Sequence, residues 1–118
     1  MIVGAAVVEI QIHGSQSLKQ KRGVVRSIVQ RVRNRFNLSV AEVGGQDTWQ
    51  RAVLGLACAG GDAVRVRRAL EQALEFIEGL HLAEVMSSDV EIADLAHAEG
   101  AWEPAGEEAL EGEDEAGS

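Results

Sequence analysis

The sequence is poor in the residues that build special chemistry. It holds one cysteine, Cys58, in 118 residues, which excludes an internal disulfide and a thiolate metal cage. Proline occurs once and tyrosine not at all, and aromatic residues make up 3%: Phe36, Trp49, Phe76 and Trp102. The core must therefore be aliphatic, and 46% apolar residues suffice for one domain of ordinary size. No apolar run approaches the ~20 residues of a membrane span. The apolar start, 1–12, contains Glu9 and Gln11 and shows no basic leader or cleavage site. It reads as a strand of a soluble, cytoplasmic protein.

Bases are absent after Arg68. Eleven bases against four acids leave residues 1–68 at +7. Residues 69–96 hold seven acids and no base, and residues 97–118 hold eight acids and no base. The compact part is thus close to neutral but strongly dipolar, and the net charge of −8 resides in the last segment. Such segregation bears on partners and steering rather than on fold.

Residues 2–13 alternate with period two and are rich in β-branched side chains, which predicts a strand. Ile2, Gly4, Ala6, Val8, Ile10 and Ile12 share one face. Ser17-Leu18-Lys19-Gln20 has the form of a capping box and starts a helix to about 35 or 36. Leu18, Val25, Ile28, Val29, Val32 and Phe36 form its apolar stripe. Residues 38–43 read as a strand, Gly44-Gly45-Gln46-Asp47 as a turn, and 49–59 as the returning strand of a hairpin, with Ala52, Leu54, Leu56 and Cys58 inward. Asp62 caps a second helix over 63–80. The last strand covers 84–95, with Met86, Val90 and Ile92 inward.

This order, βαββαβ, predicts an α+β ferredoxin-like fold. Its antiparallel four-stranded sheet would carry both helices on one face, with strands one and three central. The domain would span 1–96. Residues 97–118, dominated by Gly, Ala and Glu, read as a disordered acidic tail. Eight acids there suit either competition with nucleic acid for a basic surface or a purely solubilising role.

Catalytic chemistry finds little support. His13, His81 and His97 are scattered, without the convergent spacing of metal ligands or of a base with its orienting partner. Cys58 lies on an inward strand position and reads as a small hydrophobe. Glu42 and Asp47 flank a turn, where pairing with Arg51 is the simpler role. No glycine-rich phosphate loop is present, and no cofactor or metal is expected. A hydrolase resembling acylphosphatase on the same fold would need an arginine in the loop 14–17, which has none.

The first helix is the informative element. It carries Lys19, Lys21, Arg22, Arg26, Arg31, Arg33 and Arg35 and no acid. At 100° per residue, Lys19, Arg22, Arg26 and Arg33 fall within about 60° of one another. Seven like charges oppose helix stability through i,i+4 repulsion and a cationic first turn. A row of four cations suits phosphate tracking. The second helix also runs against its macrodipole, with Arg65, Arg67 and Arg68 early and Glu75 and Glu78 late; pairing of Arg67 with Glu71 would offset part of this. The helix-free face of the sheet should show Val3, Ala5, Val7, Val53, Gly55 and Ala57, an apolar patch suited to a second copy of the sheet. Trp49 is expected to brace the hairpin.

Ser17-Leu18-Lys19-Gln20-Lys21-Arg22, the segment 33–43 (Arg-Asn-Arg-Phe-Asn-Leu-Ser-Val-Ala-Glu-Val) and Asp47-Thr48-Trp49-Gln50-Arg51-Ala52 resemble the bacterial YlxP-like family. The resemblance covers 1–95 and leaves out the tail. Where the family has Glu after Ser-Leu-Lys, this chain has Gln20, which keeps the capping geometry. The resemblance implies a ferredoxin-like fold. It also implies a role near the ribosome, since the family's genes often neighbour those of ribosome maturation and translation initiation. It carries over no catalytic residue. The resulting expectation is a non-enzymatic RNA- or ribosome-associated homodimer. Its phosphate contacts would be Lys19, Arg22, Arg26 and Arg33, extended by Lys21 and Arg51. The alternative is a homodimeric adaptor that docks a protein through its sheet face or hairpin.

Overall fold

The computed structural model describes residues 1–46 and 48–96. Six elements follow in order: β1 (Ile2–Gln11), α1 (Leu18–Arg35), β2 (Ser39–Gly44), β3 (Arg51–Gly60), α2 (Ala63–Gly79) and β4 (Glu84–Asp94). The strands form one antiparallel sheet in the order β2-β3-β1-β4, so β1 and β3 are central. This is the expected ferredoxin-like α+β arrangement, with both helices on one face. The tail expected over 97–118, with His97 and Trp102, lies outside the described residues. No helix among those described is long and apolar enough to cross a membrane.

Helix starts follow their caps. Ser17 accepts from the Gln20 amide at 3.1 Å, and Asp62 accepts from the Val64 amide at 2.9 Å. Such caps contribute about 1 kcal/mol each. The reciprocal half of the box is displaced by one residue: Gln20 Oε1 accepts from the Gln16 amide at 2.6 Å. Just past the C-cap of α2, Leu80, His81 has a φ of 57°, which places a non-glycine residue in the left-handed region.

The core is aliphatic. Val8 and Ile10 of β1, Leu54 of β3, Ile28 and Val32 of α1, and Leu70 and Ile77 of α2 are fully enclosed. Each such side chain contributes roughly 1.5–3 kcal/mol on burial. The two helices meet over Phe36 and Phe76, whose rings lie edge to face at 5.5 Å. Close approach of α2 to β1 requires glycine at position 4, where a Cβ would stand 2.5 Å from Val66 Cγ1 and 2.7 Å from Leu70 Cδ1.

Two sequence expectations change here. Met86 is half exposed rather than inward. The β1–β4 register shifts between Glu9 and Ile10, whose partners are Ser87 and Val85, so Met86 is the extra residue of a bulge. The bulge reverses the alternation, and Val85 takes the inward role. Trp49, expected as the first residue of the returning strand, lies in the hairpin loop with 53% of its surface open, and the strand begins at Arg51. The turn itself depends on Gly45, which has φ 76° and would place a Cβ 2.9 Å from the Arg51 carbonyl oxygen.

Candidate nucleic-acid interface

α1 presents its cations according to the helical period. The apolar stripe faces the sheet through Val25, Ile28 and Val32. Lys19, Arg22, Arg26 and Arg33 lie on the outer flank, and all four are exposed. Fourteen residues separate the first from the last, about 21 Å along the axis. Lys19, Arg22 and Arg26 make no ion pair with an acid among the described residues. Arg33 donates from a terminal guanidinium nitrogen to the Val40 carbonyl at 3.0 Å, which ties the end of the row to β2.

The other cations are employed differently. Arg31 Nε donates to Ser27 Oγ at 3.2 Å. The Arg35 guanidinium lies 5.2 Å from the Phe76 ring centroid and 6.0 Å from that of Phe36, covering the aromatic pair. Arg65 sits 3.8 Å from the cap residue Asp62. The expected Arg67–Glu71 pair does not form among the described residues.

Lys21 must be removed from the row. Its side chain has no exposed surface. Nζ donates to the Gly45 carbonyl at 2.5 Å and lies 3.0 Å from Glu42 Oε2. That carboxylate oxygen is buried without a directed hydrogen bond and is balanced by the ammonium charge. The cause is helical position: Lys21 stands four residues before Val25, in the gap of the apolar stripe between Leu18 and Val25. Glu42 pairs in register with buried Leu54, so it points to the same side of the sheet. Both signals are present in the sequence, as a missing stripe member and an acid at an inward strand position.

Arg51 is also separate from the row. It stands on the helix-free side at the start of β3 and pairs with Glu9 of β1, not with Glu42. Ser87 Oγ adds a weaker contact to Glu9 at 3.5 Å. Asp47, its other expected partner, lies outside the described residues.

The remaining candidate groups among the described residues are dispersed. His13 Nε2 meets Glu84 Oε1 at 2.6 Å on the open edge of the domain. Burial pushes the Cys58 thiol above its ordinary pKa, opposite to what a nucleophile needs. Among the described residues, no three His, Cys, Asp or Glu side chains converge as a metal site would require.

The helix-free face carries its apolar patch. Val7 is 47% and Val43 55% exposed, with Ala5, Ala41 and Ala57 open beside them. In register, Ala41, Gly55, Val7 and Asp89 form one row across the four strands. The patch therefore spans β2, β3 and β1 and ends at an acidic margin on β4.

Comparison with known proteins gives one curated relative in strong agreement. "Uncharacterized protein YlxP" of Bacillus subtilis (strain 168) is 42% identical over 77 residues, covering 65% of this chain and 84% of the relative. Among solved structures, the structural-genomics protein YJCS is 8% identical with a TM-score of 0.47, covering 80% of this chain and 99% of its own. SnoaB, a cofactor-independent oxygenase from Streptomyces nogalater, is 12% identical with a TM-score of 0.46, covering 83% and 97%. The family described as Protein of unknown function (DUF503) matches residues 3–90. The chain belongs to that family, and the YlxP-like resemblance of its motifs is thereby established.

Proposed function

We propose that this protein is a non-enzymatic binding module of the cytoplasm that holds RNA, in or near the ribosome, on the outer flank of α1. The observation that carries this reading is the exposed, acid-free row Lys19, Arg22 and Arg26, continued by Arg33. A surface designed only for solubility would mix signs, which also favours an isolated helix through i,i+4 pairs. Here seven bases occupy one helix, and only one of them, Lys21, is matched by an acid among the described residues.

Retention of ribosomal RNA on the full chain, measured over a range of salt, tests this. Four phosphate contacts to a single strand give a slope of log K against log salt near about −2.8. Arg22→Ala with Arg26→Ala should flatten that slope by about 1.4. Arg22→Glu with Arg26→Glu should abolish retention. Unaltered retention in the reversed-charge variant sinks the reading.

The apolar patch supports a second element of the proposal, a homodimer formed across the helix-free faces. A second copy would cover Val7 and Val43 and place two cation rows on one particle, raising avidity for a long anionic target. If the patch instead docks a different protein, the chain is an adaptor and the basic helix is incidental. Sedimentation of the wild type and of Val7→Asp distinguishes these. A wild-type dimer that Val7→Asp converts to a monomer supports self-association; a wild-type monomer refutes it.

A further inference from the structure

We propose that the cleft beside the first turns of α1 is a pocket for one unpaired nucleobase of the strand whose phosphates lie on the cation row. The proposal deepens the RNA reading above and rests on it. The cleft has a volume of about 620 Å³ and is lined by Ile12, Lys19, Gly23, Val24, Ser27 and Leu82, among others. That lies within the ~300–1,000 Å³ range of small-ligand pockets. Its walls are mainly apolar, and Leu82 is left exposed over it.

Gly23 supplies the independent observation. Glycine in a helix interior costs about 1 kcal/mol relative to alanine. Other glycines have a reason or little cost: Gly4 is forced by Val66 and Leu70, Gly45 by its positive φ, and Gly61 and Gly79, which also meet nothing within 4 Å, lie before α2 and at its last residue rather than in a helix interior. Gly23 has neither reason. Its φ is ordinary, and a Cβ built there meets nothing within 4 Å. The missing side chain leaves space only on the outside of the helix, where the cleft lies. The sequence thus accepts a weaker helix and gains an open pocket.

The charge beside the pocket selects its occupant. Lys19 belongs both to the cleft wall and to the cation row, and Arg22 precedes Gly23 directly. An apolar group that enters here therefore arrives tethered to an anion. A nucleobase on its sugar-phosphate meets both conditions, with two apolar faces and a charged link. Ser27 adds a polar contact. Its Oγ accepts from Arg31 Nε, which leaves the hydroxyl proton to donate to a ring acceptor. His13 also lines the cleft and offers the base one ring to stack on, while the remaining apolar walls are aliphatic, so recognition should tolerate several bases.

The test is Gly23→Leu in the full chain, with a short single-stranded oligoribonucleotide and the blunt duplex of the same sequence as probes. Leucine fills the cleft and strengthens the helix, so the variant should melt at or above the wild-type temperature. Single-strand affinity should fall about tenfold, the loss expected when one base contact is removed. Duplex affinity and both salt slopes should not change, because paired bases cannot enter and the phosphate contacts remain. Unchanged single-strand affinity in Gly23→Leu overturns the pocket and leaves the cation row standing. Equal losses on strand and duplex also overturn it, since the substitution would then act through the row. A wild type that binds neither probe removes the RNA reading and the pocket together.

Discussion

The Lys21 ammonium sits 3.0 Å from Glu42 Oε2, joining α1 to β2 at a point where the lysine has no exposed surface. The same nitrogen donates to the Gly45 carbonyl, which also accepts from the Thr48 amide at 3.1 Å. One side chain therefore fixes the start of the helix against the hairpin turn. Glu42→Leu alone should destabilise the domain by about 3–5 kcal/mol, because it leaves a buried charge unmatched. Lys21→Met combined with Glu42→Leu should recover most of that loss. Urea denaturation of the single and double variants measures the coupling. Additive losses would mean that the pair is not an energetic unit.

Gly4→Ala should cost about 1–3 kcal/mol, the range for overpacking a tight core. The added methyl would press on Val66 and Leu70 and push α2 off the sheet. Thermal melting reads this directly, and a variant as stable as the wild type would show that α2 can shift freely.

His81→Gly should stabilise the protein by about 1 kcal/mol. The left-handed backbone at the end of α2 suits glycine and strains a residue with a Cβ. The His81 amide still reaches the Glu78 carbonyl at 3.3 Å, so the helix end keeps its closing bond. A lower midpoint in urea would show that the imidazole has contacts worth more than the strain.

Cys58 should alkylate slowly. Burial raises its thiol pKa, so at a given pH less thiolate is present than in an unfolded chain. Iodoacetamide modification should accelerate sharply when denaturant is added at constant pH. Equal rates in folded and unfolded protein would show that the thiol is open and unshifted.

Much of the architecture was legible because local rules and tertiary packing agree. The alternation of Val8 and Ile10 with Val7 and Glu9 matches the buried and open faces of β1. Ser17 and Asp62 start their helices as their side-chain chemistry requires. The errors fall where one residue depends on a distant one. Met86 obeys strand alternation until a bulge against β1 shifts it, and no local pattern encodes a bulge. Lys21 differs, because the gap in the apolar stripe already marks it locally, and only the identity of its partner Glu42 depends on β2. Of the six cations expected at the interface, the helical period alone separates the four of the outer flank from Lys21. Arg51 required the β1–β3 register, which brings Glu9 within its reach.

The irregular backbone of the two outer strands limits how copies of this protein can meet. β2 shifts register between Glu42 and Gly44, and β4 carries the Met86 bulge, so neither border of the sheet is a flat template for another strand. β4 adds Glu84, Asp89, Glu91 and Asp94 along that border. Edge-to-edge polymerisation is thereby disfavoured, as in natural sheets that guard their margins with bulges and charge. Growth into ribbons is discouraged on both sides, while a finite face-to-face assembly remains open to the chain.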